Sequence, residues 1–360
     1  MSLKPDSAAR LRVDAFDYDL PDSAIAQVPA EPRDAARLMV LDRSRSASGQ
    51  PSVEHRTFSE LGALLRPDDL LVVNDSRVIP ARLTATLPGG GAAEVLALRV
   101  LDEPNRWEAL VRPSRRLAVG SRLSLRGGDN VEVGERLDGG TRVVTFFRDP
   151  ALVMAAAGET PLPPYIRDHS TPAERYQTVY ARPPGSAAAP TAGLHFTERL
   201  LAELEATGIA RASLTLHVGL DTFRPLEGDF IDEHRIHREW YEVPPATAAA
   251  VAETRRAGGR VVAVGTTSLR VLETAGQAAA AQGWTDLYVT PPYEFRTVDA
   301  LITNFHLPRS SLLLLVTAFV QAGMPGSDAI GARDTLLAAY GAALAERYRF
   351  FSFGDAMFIG

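Results

Sequence analysis

Short hydrophobic runs, several of them alternating with polar residues, fill the chain between about residues 70 and 150, beginning at 70–73 and 78–87. Clusters rich in glycine and aspartate separate the runs, at 89–91, 127–130 and 138–140. Many short strands at a spacing of roughly 8–12 residues are typical of a sandwich or a small barrel. The pattern therefore predicts a compact antiparallel β unit in this part of the chain.

Beyond about residue 195, apolar runs of strand length alternate with longer amphipathic segments. Strands are predicted at 210–218, 260–265, 287–290 and 301–304, and helices at 198–206, 246–257, 310–320, 335–347 and from near Thr267. This alternation indicates a layered α/β domain with a mainly parallel sheet. The N-terminal segment has the same character, with a helix predicted at 58–65.

The simplest fold class is therefore α/β. We expect a layered α/β/α (Rossmann-like) main domain, built from residues 1–69 and 151–360, with an inserted small antiparallel β-barrel domain at 70–150.

The composition excludes several kinds of chemistry. The 360 residues contain no cysteine, and Lys4 is the only lysine. Disulfides, iron–sulfur clusters, thiolate-bound zinc and thiol nucleophiles are excluded, as are P-loop and Schiff-base lysines. Catalysis must rely on His, Asp, Glu, Arg, Ser, Thr, Tyr, backbone groups or a reactive cosubstrate.

The net charge of −6 is unevenly distributed. Residues 77–150 carry twelve arginines against nine acidic residues, so a basic stretch interrupts an acidic remainder. A nucleic acid binds to a local region of the surface, so the charge of that region matters more than the net charge of the protein. Chance explains this small excess as well as an RNA-binding surface does.

Nothing in the sequence indicates export or membrane insertion. The N-terminal residues lack the apolar core of a signal peptide, and the most apolar stretch, 312–320, is shorter than the roughly 20 residues that span a bilayer. We expect a cytoplasmic protein with no membrane partner.

Polar residues recur where predicted strands end or helices begin. Thr191, Gly193 and His195 lie in a small-residue loop before a helix, where backbone N–H groups can bind an anion. His217, with Thr222 and Arg224, follows a strand, the place where open α/β sheets bind ligands. On spacing alone, an ordinary capped loop with a packed histidine explains the first segment better, and a plain turn explains the second equally well.

Two further junctions have the same form. Thr266 and Thr267 lie between a buried strand and a helix, without the GxGxxG or P-loop pattern. Asn304 and His306 follow the next predicted strand, and Asp355 lies in an aromatic C-terminal segment. Each signal alone is weak, but together they indicate one composite site for a small polar cosubstrate.

A metal site is the competing interpretation. His234, His237 and Glu239 form a His-x-x-His-x-Glu set, and such ligands suit zinc or iron. Two arginines between them are poor neighbours for a cation, so a purely polar substrate site is favoured. Arg33, Arg77 and Arg82 lie in N-terminal loops and are candidates for phosphate contacts, although surface ion pairs are the commoner role.

Long collinear stretches, read together, resemble the S-adenosylmethionine:tRNA ribosyltransferase-isomerase (QueA) family of queuosine biosynthesis. The resemblance runs from Phe16 to Met357 in the family's order. It departs from the family pattern at Asp221, in place of glycine, and at Ile236, in place of methionine. The matching segments are 16–21, 25–27, 29–34, 74–82, 161–166, 175–180, 190–196, 217–225, 264–270, 298–311 and 348–357.

The resemblance implies an α/β fold with an inserted β-barrel and a specific reaction. The ribosyl part of S-adenosylmethionine would pass to 7-aminomethyl-7-deazaguanine (preQ1) at the wobble position of tRNAs with a GUN anticodon. Rearrangement would give epoxyqueuosine and release adenine and methionine. S-adenosylmethionine would be a cosubstrate, and no prosthetic group or metal is implied. We expect a monomer.

S-adenosylmethionine suits a protein that has no cysteine and a single lysine. Its sulfonium acidifies C5′ of the ribose, so a modest base is sufficient to remove the proton. We assign proton transfer to His195 and His217, and a proton relay or the methionine ammonium to Glu239 and Asp355. Arg33, Arg77 and Arg82 would contact tRNA. The further residues assigned to S-adenosylmethionine are Thr191, Gly193, Thr222, Arg224, Thr266, Thr267, Asn304 and His306.

Two alternatives stay open. One is a metal-dependent hydrolase that uses His234, His237 and Glu239, and the other is a non-catalytic RNA-binding protein. Stoichiometric zinc or iron would favour the first, and absence of tRNA-dependent adenine release would favour the second.

Overall fold

A nine-stranded mixed sheet and a six-stranded barrel organise the molecule. The computed structural model describes residues 10–137, 140–219, 226, 228–276 and 281–360. The strands are β1 (Arg37–Ala47), β2 (Gln50–Thr57), β3 (Leu70–Asn74), β4 (Arg77–Val78), β5 (Arg82–Thr86), β6 (Ala92–Val100), β7 (Arg106–Arg112), β8 (Ser121–Leu125), β9 (Asn130–Arg136), β10 (Arg142–Phe146), β11 (Gly158–Glu159), β12 (Pro184–Ser186), β13 (Ala210–Leu216), β14 (Glu239–Val243), β15 (Val261–Val264), β16 (Ala281–Thr285), β17 (Ala300–Asn304) and β18 (Ala356–Ile359).

Helices occur mainly in the second half of the chain. A short 3-10 segment, Phe58–Ala63, stands where the helix at 58–65 was predicted, and another, Thr191–His195, carries the small-residue loop. The α-helices are α1 (Pro150–Ala157), α2 (Glu198–Ala206), α3 (Pro245–Arg256), α4 (Gly265–Ala275), α5 (Ser311–Ala322) and α6 (Ala329–Ala345).

The large sheet has the strand order β16-β14-β13-β3-β15-β17-β18-β1-β2. Its centre, β13-β3-β15-β17, is parallel, so the carboxyl ends of these strands meet at one edge. The expected mainly parallel sheet is corrected to a mixed one, because β14 and β16 on one side, and β18 and β2 on the other, pair antiparallel to their neighbours.

The sheet is buried on both faces, which explains why β3 reads as a continuous apolar run. Leu70 and Val72 belong to the core formed with α4, α5 and α6. Leu71 and Val73 point to the opposite core, which contains the Phe58–Ala63 segment and α2. Side chains alternate across a strand, so such a strand needs apolar residues at every position.

The barrel confirms the predicted antiparallel β unit. Strands β5, β6, β7, β10, β9 and β8 pair in that order, and β5 closes the barrel by pairing with β8 at Ala85 and Leu125. Side chains such as Val95, Val131 and Val144 fill its interior. Closure leaves no free edge in the barrel itself.

Two predicted strands are placed differently. The run at 70–73 is β3, which lies at the centre of the large sheet and not in the barrel, whose first strand begins at Arg82. The run at 287–290 is not a strand, because side chains bind its backbone: Leu287 N donates to Thr285 Oγ1 (3.2 Å), and Arg270 Nε donates to Leu287 O (3.0 Å). Within the described ranges, no helix is long and apolar enough to cross a membrane.

Arg142 holds the barrel wall to the loop after β7. It is 1% exposed, and its guanidinium donates to Gly134 O (2.7 Å), Leu117 O (3.2 Å) and Ser114 O (3.3 Å). A buried cation with three carbonyl acceptors keeps most of its hydrogen bonds on folding.

Replacement of Arg142 tests this role. Arg142→Met strips the three carbonyls of their donor, and we expect the free energy of unfolding to fall by about 2–4 kcal/mol. Urea denaturation measures the loss. The control Arg122→Met, on an exposed barrel position, is expected to change stability by less than about 0.5 kcal/mol. Equal effects of the two variants would contradict the anchoring role.

Candidate active site

A cleft of about 1270 Å³ separates the barrel from the large sheet. The barrel side contributes apolar residues, among them Leu98, Val100, Trp107 and Met154. The opposite side is formed by residues that follow β13 and by β14, β16, α4 and α5. It includes His217, Gly219, Glu239, Trp240, Arg270, Trp284 and Leu312. A large concave site with a few polar groups on apolar walls is the ordinary form of a ligand site.

An ion pair between Glu239 on β14 and Arg270 on α4 lies in the wall of this cleft. The carboxylate accepts from Arg270 Nη1 through Oε2 and from the Gly219 N–H through Oε1 (2.8 Å). Both side chains are more than nine-tenths buried. The ion pair therefore fixes β14, α4 and the turn after β13 relative to one another.

His217 follows β13 and faces the same cleft. Its Nδ1 lies 2.8 Å from the Ser76 hydroxyl, and its ring stacks on Trp240 with a centroid separation of 5.2 Å. Burial lowers the pKa of His217 from 6.5 to about 4, so the imidazole is neutral at physiological pH. It is placed to accept a proton from a bound molecule.

Gly185 allows this approach. Its φ is +149°, and a Cβ atom there would lie 2.6 Å from His217 Nε2. Any larger residue would therefore displace the imidazole, which gives Gly185 a specific role in the site.

A second, small cavity of about 60 Å³ adjoins the cleft, since Leu312 lines both. Five of the residues assigned from the sequence to S-adenosylmethionine line it. They are Thr191, Thr266, Thr267, Asn304 and His306. The structure thus brings together the Thr191–His195 segment, the first turn of α4 and the residues at the end of β17.

The hydrogen bonds within this cavity leave the Thr267 hydroxyl without a partner among the described residues. Thr191 Oγ1 donates to Asn304 Oδ1 (2.9 Å), and the Asn304 amide donates to Phe351 O (3.0 Å). His306 Nε2 lies 2.8 Å from Thr303 Oγ1, and burial lowers the pKa of His306 to about 3. Thr267 Oγ1 is buried with no partner among the described residues.

Helix α4 begins at this cavity. Gly265 has φ +87°, and no side chain caps the first turn. The first backbone N–H groups of α4 lack intrahelical acceptors, as at any helix N-terminus. The helix dipole favours a negative group at this end. Together with Thr267, the helix end suits a carboxylate.

Three described residues that the sequence assigned to catalysis or to S-adenosylmethionine line neither cavity. His195 is buried, with Nδ1 3.0 Å from Ala192 O and Nε2 2.9 Å from Gly354 O. Gly193 packs under Tyr180, whose hydroxyl a Cβ would meet at 2.1 Å. Asp355 accepts from the backbone N–H groups of Arg37 (3.0 Å) and Arg349 (2.7 Å). These contacts hold the loops behind the small cavity, so the proton-transfer role expected for His195 and the ligand roles expected for Gly193 and Asp355 have no support from the position of these residues.

The predicted tRNA contacts are engaged within the protein. Arg33 donates to Leu194 O (3.2 Å), Arg77 binds the Glu174 carboxylate (2.9 Å), and Arg82 donates to Leu162 O (3.3 Å). Of the remaining expectations, Thr222 and Arg224 lie outside the described residues, as does Asp221. Ile236 lines the cleft.

The metal interpretation is not favoured. Glu239 directs its oxygens to Gly219 and Arg270, while the His234 ring packs against Tyr288 at 5.6 Å. Within the part of the chain that the structure describes, no three His, Asp or Glu side chains group as ligands.

Sequence reasoning missed three residues of the cleft, Arg270, Trp240 and Gly185, and the buried Ser76 that contacts His217. Arg270 closes the segment 264–270, and Ser76 lies in 74–82, so both were in recognised stretches without a role. Their partners, Glu239 and His217, are 31 and 141 positions away along the chain. Only the folded chain shows these contacts.

The environment of His217 predicts its titration. Its folded pKa of about 4 lies below the ordinary 6.5. Its contribution to stability is therefore complete above pH 6.5 and is lost as the pH falls towards 4. NMR of the imidazole carbons should show a midpoint near pH 4, whereas a midpoint near 6.5 would contradict the buried, neutral ring.

Comparisons with known proteins agree with this architecture. The family described as "Queuosine biosynthesis protein" matches residues 13–359. A relative from Symbiobacterium thermophilum is 49% identical, with 97% of this chain and 100% of the relative covered, and one from Gloeobacter violaceus is 51% identical, with 96% and 95% covered. Both are named S-adenosylmethionine:tRNA ribosyltransferase-isomerase.

A solved structure gives the same result. The crystal structure of S-adenosylmethionine tRNA ribosyltransferase from Thermotoga maritima is 39% identical, with a TM-score of 0.54, and the match covers 96% of this chain and 100% of that one. The resemblance read from the sequence is thereby confirmed. The chain belongs to the queuosine biosynthesis protein family, whose matching members are S-adenosylmethionine:tRNA ribosyltransferase-isomerases.

Proposed function

We propose that this chain transfers and isomerises the ribosyl moiety of S-adenosylmethionine onto preQ1 at the wobble position of tRNA. The products are epoxyqueuosine-tRNA, adenine and methionine. We assign the reaction to the cleft because of the neutral His217. Ser76 and Trp240 hold its ring beside the Glu239–Arg270 ion pair. The family membership supports the reaction itself.

The first step of this reaction removes a proton from C5′ of the ribose. The sulfonium next to C5′ acidifies it, so a neutral imidazole is a sufficient base. His217 is the proposed base, because it is neutral, faces the cleft and is oriented by Ser76 through Nδ1, which leaves Nε2 for the proton. His195 is not proposed, since backbone carbonyls face both of its ring nitrogens.

The small cavity is the proposed site for the amino-acid end of S-adenosylmethionine. The first turn of α4, Thr266, Thr267 and Thr191 offer donors to the carboxylate, and about 60 Å³ suits a small polar group better than a nucleoside. Asn304 and His306 would position the ribose hydroxyls or the departing adenine. The adjoining cleft then receives the sulfonium and ribose next to His217.

The proposed tRNA backbone contacts lie on the barrel. Arg112, Arg115 and Arg116 are exposed at the end of β7 and in the loop that Arg142 holds, and none of them forms an ion pair with a described residue. Free guanidinium groups are available to phosphates, unlike those of Arg33, Arg77 and Arg82. The barrel forms one wall of the cleft, so these arginines would grip the tRNA beside it.

We also propose a cytoplasmic monomer without a prosthetic group or metal, as the family resemblance implies and because the sulfonium of S-adenosylmethionine supplies the reactive centre. The barrel strands β5 to β10 support an inserted unit within 70–150, although β3 belongs to the main sheet. Helices on both faces of that sheet support the Rossmann-like layering.

Adenine release tests the reaction and the base together. With S-adenosylmethionine, the wild-type protein should release adenine only when the tRNA carries preQ1. His217→Asn keeps a similar volume but removes the base, and we expect kcat to fall by about 10²–10⁴-fold. Wild-type activity without preQ1-tRNA dependence would contradict the proposed reaction, and a His217→Asn rate within a few-fold of wild type would contradict the proposed base.

Salt dependence tests the tRNA surface. Replacing Arg112, Arg115 and Arg116 with glutamine should weaken tRNA binding and flatten the plot of log K against log salt by roughly 0.7–0.9 for each phosphate that is no longer neutralised. The double variant Arg33→Gln, Arg77→Gln is the matched control and should keep the wild-type slope. The opposite pattern would move the tRNA contacts back to the loops of the main body.

A further inference from the structure

Arg270 carries a hydrogen-bond donor that the protein itself does not use. Its Nη1 donates to Glu239, and its Nε donates to Leu287 O (3.0 Å). Its Nη2 is buried and meets no acceptor among the described residues, although the side chain lines the cleft. An unsatisfied guanidinium N–H on a residue that is 6% exposed indicates that a ligand accepts from it.

The Glu239 carboxylate can accept more hydrogen bonds than it receives from the described residues. Each carboxylate oxygen receives one hydrogen bond, from Gly219 and from Arg270. An ionised carboxylate offers about four lone-pair positions, so it can accept further N–H groups from the cleft. The ion pair therefore presents one donor beside acceptor positions.

Charge restricts what can bind here. Arg270 and Glu239 neutralise each other, so a further lone anion or cation would be buried without compensation. A neutral group with a carbonyl oxygen next to N–H donors meets both requirements. The six-membered ring of a guanine-type base has this edge, with O6, N1–H and the 2-amino group in sequence.

We propose that Arg270 and Glu239 read the guanine edge of the wobble base, with Arg270 Nη2 donating to O6 and Glu239 accepting from N1–H and the 2-amino group. This inference rests on the proposed function, since it names how that cleft recognises its tRNA substrate. The base must leave its stack to enter the cleft, as in other enzymes that modify bases. Trp240 and Trp284 line the same cleft and offer flat surfaces to a base.

A zwitterionic amino-acid head group is the competing ligand, because its carboxylate could face Arg270 and its ammonium Glu239. The first turn of α4 and the free Thr267 hydroxyl already offer a carboxylate site in the small cavity. The apolar, tryptophan-bearing cleft fits a flat ring better. The base is therefore the occupant we assign.

Substrate analogues test the inference on the unaltered protein. Anticodon stem–loops carry either preQ1 or its 2-aminopurine-type analogue, which lacks O6 and N1–H. Wild-type protein should bind the analogue about 10- to 100-fold more weakly, in line with the discrimination that one bidentate base pairing provides. Equal dissociation constants for the two stem–loops would overturn the proposal.

Variants assign the effect to the ion pair. Glu239→Gln should raise KM for the preQ1 stem–loop by about tenfold or more and leave KM for S-adenosylmethionine within about twofold. The affinity of Glu239→Gln for the analogue should fall by a smaller factor than its affinity for the preQ1 stem–loop, because the analogue keeps the 2-amino donor but has no N1–H to donate to the carboxylate. A raised KM for S-adenosylmethionine with an unchanged KM for the stem–loop would give the site to the amino-acid head group and overturn the inference.

Controls separate the possible failures. Arg256→Met, at an exposed position of α3, should change neither constant by more than about twofold. Thermal melting identifies a variant that does not fold, in which case the analogue comparison on wild-type protein decides. Wild-type adenine release with the preQ1 stem–loop tests the proposed function separately, so a wild-type enzyme that is active but does not discriminate would overturn this inference alone.

Discussion

The ion pair between Glu239 and Arg270 joins the elements on which the cleft depends. It ties β14 to α4, and through the Gly219 N–H it also holds the turn that follows His217. Both groups are buried, so loss of either partner would leave an uncompensated charge and is expected to be costly. The Nη2 group of Arg270 has no acceptor among the described residues, so in our proposal the residues that hold the cleft together also bind the substrate.

The barrel and the large sheet contribute different groups to the site around this ion pair. The parallel centre of the sheet brings the ends of β13, β15 and β17 to one edge, where hydroxyl, amide and imidazole groups gather. The barrel adds an apolar wall and, in our proposal, the arginines that hold RNA. Because S-adenosylmethionine carries a reactive sulfonium, our proposal requires only substrate positioning and one neutral base from the protein.

Much of this was predictable from the sequence, because local patterns determine local structure. Alternating runs identified the barrel, and polar residues at strand ends identified Thr191, Thr266, Thr267, Asn304 and His306, which meet in one cavity. The buried strand β3 was assigned to the wrong unit, since an apolar run does not show which sheet it joins. The surroundings of His195 were less predictable, because its Nε2 lies against Gly354 O, 159 positions away along the chain.

In our proposal the wobble base reacts in the cleft between the barrel and the sheet. Its position can be mapped by photo-crosslinking from an anticodon stem–loop with a photoreactive wobble base, in the presence of S-adenosylmethionine, followed by mass spectrometry. We expect adducts on cleft residues such as Trp240, Trp284 or Met154. Adducts confined to the loops around Arg33 and Arg77 would contradict it.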